Sequence, residues 1–196
     1  MIKISIIAIC FSLLFVMLAW FMLPKFLEQP KYKVVRKEND IEIRKYDKIL
    51  TSSVKVYGNQ YNALRKGFQP LVRYIGAKER DSEKISMTAP VIQTTNDESE
   101  NWTVSFAMPS KYNIDNLPKP VNDDIYFEEI QPSLAAVIRF SGVADTSLLT
   151  QKASVLKGWL ELNGYTESSS PKFLFYNDPT TPGFLRRNEV MIIIDK

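Results

Sequence analysis

The chain of 196 residues contains no histidine, and its one cysteine, Cys10, lies in an apolar stretch near the N-terminus. Without histidine it lacks the commonest general base and metal ligand of proteins, so a Ser/His/Asp or Cys/His catalytic set is excluded. A single cysteine allows neither an internal disulfide nor a cysteine metal cluster. The 7 glycines form no phosphate-binding loop. These absences argue against an enzyme.

An excess of one charge is also missing. The chain carries 25 basic and 22 acidic residues, and without Lys3 and Lys25 in the N-terminal leader the rest holds 23 basic residues against the same 22 acidic ones. A nearly neutral domain gives no reason to expect nucleic acid as a partner. The 171 residues after position 25 are enough for one ordinary domain. We therefore expect a leader at residues 1–25 and one domain at residues 26–196.

Residues 4–23 form the one long apolar run, with 20 residues and no charge. This length spans a bilayer, and its large apolar side chains favour insertion by on the order of 5 kcal/mol. A cleaved signal peptide is the competing interpretation, but such signals have apolar cores of about 7 to 15 residues that end in small side chains. Here the run ends with Trp20, Phe21, Met22 and Leu23. The sequence therefore predicts a single-pass N-terminal transmembrane helix in the lipid bilayer.

The side of the membrane on which the domain lies stays open. More basic residues follow the span than precede it, which favours a cytoplasmic domain under the positive-inside rule. Bacterial signal anchors of this shape, however, often export the domain that follows them.

Alternating apolar and polar residues predict strands in two successive groups, each interrupted by a helix. Helical spacing indicates one helix over residues 59–75, which Pro70 should kink, and another over residues 146–163 between the capping residue Asp145 and the stop residue Gly164. This order predicts an α+β duplication with two helices packed on a curved, mostly antiparallel sheet. The predicted strands cover residues 31–36, 41–45, 49–56, 85–93, 102–108, 125–130, 135–140, 172–177 and 189–194.

Two segments about a hundred residues apart combine a strand-like apolar run with an unusual polar insert: residues 84–92, KISMTAPVI, and residues 184–192, FLRRNEVMI. Both resemble segments of the SOUL heme-binding protein family. The resemblance implies a distorted β-barrel made of duplicated sheet-helix-sheet halves, and it implies binding of heme or a related tetrapyrrole. It extends from about residue 32 to residue 194 and includes EIRKY at 42–46, MPSKY at 108–112 and VIRFSG at 137–142.

The same resemblance places the binding cleft along the first predicted helix, because residues 63–76 resemble the helix that lines the cleft in the animal relatives. There, apolar side chains meet the ring and basic side chains face the propionates. A second interpretation stays open, since any helix packed on a sheet needs such an apolar stripe and a solvated charged face. By position, the ring contacts would be Phe68, Leu71 and Val72, and the propionate partners would be Arg65 and Arg73.

The polar insert Arg186-Arg187-Asn188-Glu189 begins a predicted strand, where two cations and a carboxylate are costly to bury. The favoured interpretation is a structural network in which Glu189 pairs with an arginine. The alternative is that Arg186 forms part of the rim of the ligand site.

The implied cofactor is heme, b-type or another non-covalently held tetrapyrrole, although histidine, the usual axial ligand, is missing. Met87, Met108 and Met191 remain as candidates together with the tyrosines, but core packing explains each methionine as well. Burying roughly 300 Å² of apolar ring contributes about 7 kcal/mol before association costs, so micromolar affinity is the ceiling. We expect a monomer that binds its ligand reversibly as a carrier, buffer or sensor.

Two other functions remain open at this stage. A fold related to this family serves as an effector-binding module and in some small-molecule hydrolases, so the cleft could hold another lipophilic ligand, with a glutamate inside it as counter-ion or base. The domain could also be a membrane-tethered interaction module without a small ligand.

Overall fold

One sheet of 10 strands carries two helices on the same face. The helices are α1 (Gln60–Ile75) and α2 (Thr146–Leu162). The strands are β1 (Tyr32–Glu38), β2 (Ile41–Tyr46), β3 (Ile49–Tyr57), β4 (Val91–Thr95), β5 (Asn101–Ala107), β6 (Tyr126–Ile130), β7 (Ser133–Phe140), β8 (Thr166–Glu167), β9 (Lys172–Phe175) and β10 (Asn188–Asp195).

The computed structural model describes Ser12 and residues 27–78, 83–95 and 100–195. The predicted transmembrane helix at residues 4–23 lies outside these ranges except for Ser12, so it stays a prediction. Within the described ranges, no helix has both the length and the apolar character needed to cross a bilayer.

The strand order is β1-β2-β7-β10-β9-β4-β5-β3-β6, with β8 beside β10, and every pair of these strands is antiparallel. Apart from the additional edge strand β1, the order is symmetric about the β9–β4 pair, as expected for a duplication. The strand that begins each repeated unit, β2 in the first and β6 in the second, pairs with a strand of the other half. The two halves are therefore interlocked by strand exchange.

The predicted distorted β-barrel is not formed, because among the described residues the strand order ends at β1 on one side and at β6 on the other, so the sheet does not close. In β1 the ladder shifts register between Val34 and Arg36, and the strand carries Lys33, Arg36 and Lys37, which are features that protect an edge from further pairing. The sheet still curves strongly, since Tyr46 and Val137 near one edge share a core cluster with residues of β3 and β5.

Both helices begin and end within one residue of the predicted bounds, since α1 begins at Gln60 rather than Asn59 and α2 ends at Leu162 rather than Asn163. The Asn59 side chain accepts a hydrogen bond from the Asn62 N–H, and Asp145 does the same for Leu148, at 3.0 and 2.8 Å. The helix α1 continues through Pro70 to Ile75. The sequence was less accurate for strands, because the strand predicted at 85–93 begins only at Val91, the one predicted at 172–177 ends at Phe175, and the short β8 was not foreseen.

The helix α1 lies unusually close to the sheet. A Cβ atom on Gly67 would stand 2.6 Å from the Cβ of Val104 in β5, a distance that real side chains do not tolerate. The first turn is fixed as well, because the buried Gln93 side chain of β4 donates to the Gln60 carbonyl at 2.9 Å. These contacts set the position of α1, and with it the position of the residues on its flank.

Candidate functional site

Two faces of α1 have different environments. The face toward the sheet is buried and includes Ala63, Gly67 and Leu71. The neighbouring flank borders an open cavity instead. The residues of this flank recur at three- and four-residue intervals, as expected for one side of a helix, and are Tyr61, Leu64, Arg65, Phe68 and Gln69.

The cavity has a volume of about 840 Å³. This lies within the roughly 300 to 1,000 Å³ that small-molecule sites occupy. Opposite α1, its walls come from the extended segment at 87–91 before β4, from the loop at 175–181 after β9, and from Leu27 at the start of the described domain. The site is therefore assembled from four separate parts of the chain.

The lining is mainly apolar, and its charged groups come from α1 and from the 175–181 loop. The edge of the Phe68 ring contacts Phe106, with the ring centres 5.3 Å apart, which holds the Phe68 ring against the wall. Among the described lining residues Arg65 is the one cation and Asp178 the one anion. Hydrogen bonds from the hydroxyl and backbone N–H of Thr180 hold the pKa of the Asp178 carboxyl below its usual value. An anionic ligand would thus meet one attractive and one repulsive charge.

Of the six residues that the sequence singled out, Arg65 and Phe68 line the cavity. Leu71 is 0% exposed and belongs to the core between α1 and the sheet, while Val72 packs at the edge of that core. Arg73 is exposed and lies eight residues beyond Arg65, which turns it about 80° further around the helix. Neither Leu71, Val72 nor Arg73 is among the lining residues.

Arg186, the sixth residue that the sequence singled out, does not line the cavity but binds the loop that does. Its guanidinium donates to the backbone carbonyl of Thr181 at 2.7 Å and to that of Pro179 at 2.6 Å. Both acceptors lie in the loop that closes the cavity. Arg186 therefore fixes the shape of this loop.

Sequence reasoning missed Asp178 as a lining residue, and it named Met87 and the tyrosines only as candidate axial ligands without placing them in the cavity wall. Met87 lies in one of the two segments that carry the family resemblance, but it was taken as part of a strand, whereas it precedes β4 and faces the cavity. The residues of the 175–181 loop have no periodic pattern, so no sequence signal places them near α1.

The buried carboxylate of Glu189 forms the network that the sequence predicted. Glu189 is 0% exposed and receives two hydrogen bonds from Arg44, at 2.8 and 3.1 Å, and two from Arg187, at 3.0 and 2.8 Å. The Tyr176 hydroxyl donates a further one at 2.8 Å. Arg44 comes from β2 and Glu189 from β10, so the network joins the two halves of the fold.

The electrostatics of this network fix its protonation states. Burial by itself would raise the pKa of the Glu189 carboxyl, but hydrogen bonds and charge from Arg44, with the charge of Arg187, outweigh it and hold the pKa below its usual value. Burial and the Glu189 charge raise the pKa of the Tyr176 phenol well above its ordinary range. Glu189 is thus an ion with two cationic partners, which leaves it no capacity to act as counter-ion or base for a ligand.

A second, smaller cavity of about 260 Å³ lies near the start of the domain. It is lined by a mixture of acidic and basic groups, including Glu28, Lys31, Asp47 and Lys48. Its volume falls below the range quoted above for ligand sites, and five of its described lining residues are charged, against two in the larger cavity. The larger cavity is therefore the candidate site.

An α+β sheet with an apolar, ligand-sized cavity beside one helix is an architecture that can bind a small molecule. Among the described residues, no group of His, Cys, Asp or Glu side chains could hold a metal ion. The chain belongs to the SOUL heme-binding protein family, whose sequence model matches residues 27–193.

Two curated relatives have similar sequences. Heme-binding protein 1 of Xenopus laevis is 29% identical over 158 residues, which cover 78% of this chain and 82% of the frog protein. Heme-binding protein 2 of Homo sapiens is 27% identical over 162 residues, covering 79% of this chain and 78% of the human protein.

Solved structures share the fold at much lower identity. The C-terminal domain of EcmrR superposes with a TM-score of 0.62 at 15% identity, covering 84% of this chain and 98% of that domain. A hydrolase from Listeria innocua gives a TM-score of 0.56 at 9% identity, covering 82% and 94% of the two chains. At these identities the similarity concerns the fold alone.

Proposed function

We propose that this protein binds heme or a related tetrapyrrole, non-covalently and reversibly, in the cavity beside α1. The observation that carries the proposal is the combination of an apolar cavity of about 840 Å³ with membership of the SOUL family. The relatives from Xenopus laevis and Homo sapiens, both named heme-binding proteins, support the ligand class. The domain acts as a binding protein and not as an enzyme.

The residues present suit a flat, largely apolar ligand. Phe68, Leu64 and Val91 offer apolar surface, and Arg65 offers one cation for a propionate. The carboxylate of Asp178, which also lines the cavity, would repel a second anionic group of the ligand. This balance of charges favours modest affinity, which suits a carrier or buffer that must release its ligand.

Heme would bring an iron atom that takes axial ligands, and the described lining offers few. Tyr176 is unsuitable, since its hydroxyl is committed to Glu189 and its pKa is raised. Met87 provides a thioether sulfur, a weak ligand for ferric iron, and Tyr61 is an exposed phenol at the mouth. We therefore propose that ring burial rather than iron ligation supplies most of the affinity.

A titration of a shortened chain beginning at Leu27 with ferric heme and with metal-free porphyrin tests this proposal. We expect saturable absorbance changes with micromolar affinity for both ligands. Phe68→Ala should weaken both, whereas Leu162→Ala, at an exposed position of α2, should weaken neither. Absence of saturable binding would refute the proposal. A strong preference for the iron form that Met87→Leu abolishes would instead identify Met87 as a ligand.

A lipophilic cation is the second candidate ligand, because Asp178 is anionic and borders the apolar cavity. Asp178→Asn separates the two ligand classes. The substitution should strengthen binding of an anionic porphyrin and weaken binding of a cation.

We further propose that residues 4–23 anchor the domain to a membrane as a single-pass span, with the side of the membrane open. The support is the length and apolar character of the run. After an alkaline carbonate wash the intact chain should remain in the membrane pellet. Recovery of a soluble chain that begins after Leu23 would show cleavage instead.

A further inference from the structure

An exposed apolar patch lies next to the cavity and is not part of it. Phe184 is 77% exposed, Val143 62% and Leu185 39%. These three residues, called here the apolar patch, lie on two loops that are joined by a hydrogen bond of 2.9 Å from the Gly142 N–H to the Gly183 carbonyl. Large apolar side chains that are grouped on the surface are a common sign of an interaction surface.

The apolar patch is connected to the cavity wall through Arg186, the residue that follows it in the chain. Arg186 follows Leu185 and binds the carbonyls of Pro179 and Thr181, both of which border the cavity. The patch and the 175–181 loop therefore form one connected unit at the same end of the domain.

The chain also joins the domain at this end. Leu27 borders the cavity, and two residues later the Gln29 side-chain oxygen accepts a hydrogen bond of 3.2 Å from Arg187. The apolar run at residues 4–23 ends four residues before Leu27. Four residues reach at most about 14 Å, so the end of a span would lie close to both the cavity and the patch.

We propose that the apolar patch of Val143, Phe184 and Leu185 inserts into the surface of the bilayer, and that the cavity takes up its lipophilic ligand from the lipid phase. This inference rests on the proposed membrane anchor and ligand class. A tether keeps the patch at high local concentration near the bilayer, so a small apolar surface suffices for contact. Tetrapyrroles partition into membranes because their rings are apolar, and a mouth that faces the lipid avoids transfer through water.

The far end of α2 provides a matched control. Leu162 is 88% exposed, so it is at least as accessible as Phe184. It lies at the last position of α2, whose first turn follows Val143 closely. The helix separates the two sites by about 24 Å, which places Leu162 well away from the patch.

The test uses the full chain, reconstituted into phosphatidylcholine vesicles, with Cys10→Ser removing the natural thiol. Phe184→Cys or Leu162→Cys then carries one environment-sensitive fluorophore, and a fraction of the lipids carries a quencher in the acyl chain. We expect the label at position 184 to emit at shorter wavelength and to be quenched at least about twofold more than the label at position 162. Equal, water-like emission at the two positions would overturn the inference.

An apolar but unquenched label at position 184 would indicate contact with a second copy of the chain and would also overturn it. Uptake from lipid has its own readout. In vesicles preloaded with metal-free porphyrin, the double variant Phe184→Ser with Leu185→Ser should transfer porphyrin into the protein several-fold more slowly while its affinity in solution is unchanged. The fluorophore measurement contains no porphyrin, so a failure of tetrapyrrole binding and a failure of the inference give different results.

Discussion

The two helices have the same kind of N-terminal cap but different surroundings. Both start at a capping side chain, Asn59 or Asp145, and both pack on the same face of one sheet. Yet α1 approaches the sheet so closely that Gly67 is required, whereas a Cβ atom on Gly158 in α2 would meet nothing within 4 Å. Among the described residues, the ligand-sized cavity borders α1 and has no lining residue from α2. The two halves therefore share the arrangement of helix on sheet. The cavity forms beside α1 alone because the 87–91 segment and the 175–181 loop lie next to that helix.

A third region, the buried ion pair of Arg44 and Glu189, joins the two halves of the fold, and its disruption should have the largest effect on stability. Arg44 of the first half and Glu189 of the second are almost completely buried and bind each other bidentately. Removing one member of such a pair leaves a buried charge with too little compensation, which costs more than the loss of a packing contact.

The largest loss of stability is therefore expected when the pair of Arg44 and Glu189 is broken. Glu189→Gln should lower the free energy of unfolding by about 3 to 5 kcal/mol, measured by urea denaturation, because Arg44 and Arg187 then lose the fully buried anion they share. Arg44 retains only Glu42, which is partly exposed. Glu129→Gln, which breaks the exposed pair with Lys48, is the control and should cost less than about 1 kcal/mol. Similar losses for both variants would contradict the role assigned to the buried network.

The same carboxylate predicts a pH dependence. Because the pKa of Glu189 is lower in the folded chain than in the unfolded one, its contribution is fully present above the unfolded pKa of about 4.3. It is lost as the pH falls through the lower folded pKa. In Glu189→Gln this part of the acid destabilisation should be absent, which denaturation between pH 3 and 6 would show.

The next effect distinguishes the two faces of α1. Leu71→Ala should destabilise the fold by about 2 to 5 kcal/mol, and so should Leu156→Ala in α2, since both side chains are 0% exposed. Phe68→Ala should cost less stability, because its ring borders a cavity, and should weaken porphyrin binding. Unchanged binding in Phe68→Ala, together with a full core penalty, would show that Phe68 belongs to the core alone.

The glycines of the two helices should respond with opposite signs. Gly67→Ala should cost about 1 to 3 kcal/mol, because the new methyl group would overlap Val104 and force α1 away from the sheet. Gly158→Ala should stabilise by about 0.5 to 1 kcal/mol, since alanine favours the helix and the space is open. Thermal denaturation of the two variants measures both. A gain in Gly67→Ala would show that the close approach is not essential.

The smallest effects concern charge at the mouth of the cavity. Arg65→Ala should lower affinity for an anionic porphyrin up to about tenfold at low salt, and less at high salt, where ions screen the attraction. Arg73→Ala should leave affinity unchanged, because Arg73 does not border the cavity. Titrations at two salt concentrations compare these variants. Equal losses in both would place the ligand further along α1 than the cavity indicates.

Sequence patterns predicted the regular elements well, for reasons that are local. The spacing of apolar residues and the cap at Asp145 act within a few residues, so both helices could be located within one or two positions. The segment before β4 was harder, since Thr88 makes only an isolated bridge with Glu28, and an extended chain resembles a strand in sequence. The pairing of Glu189 with an arginine was foreseen because a buried carboxylate needs a cation, but the identity of Arg44 depends on strand pairing across the halves.

The sequence by itself determined the fold family, the two helices, the lack of a histidine ligand and an apolar flank with a cation at Arg65. Only the tertiary structure decided which residues of α1 meet the sheet and which meet a cavity, because Gly67 sets the depth and rotation of the helix against β5. It also brought Met87 and Asp178 together in the lining of that cavity, although they are far apart along the chain. Their proximity arises from the β4–β9 pair, in which the two halves meet, and strand pairing between distant segments leaves no periodic signal in either segment.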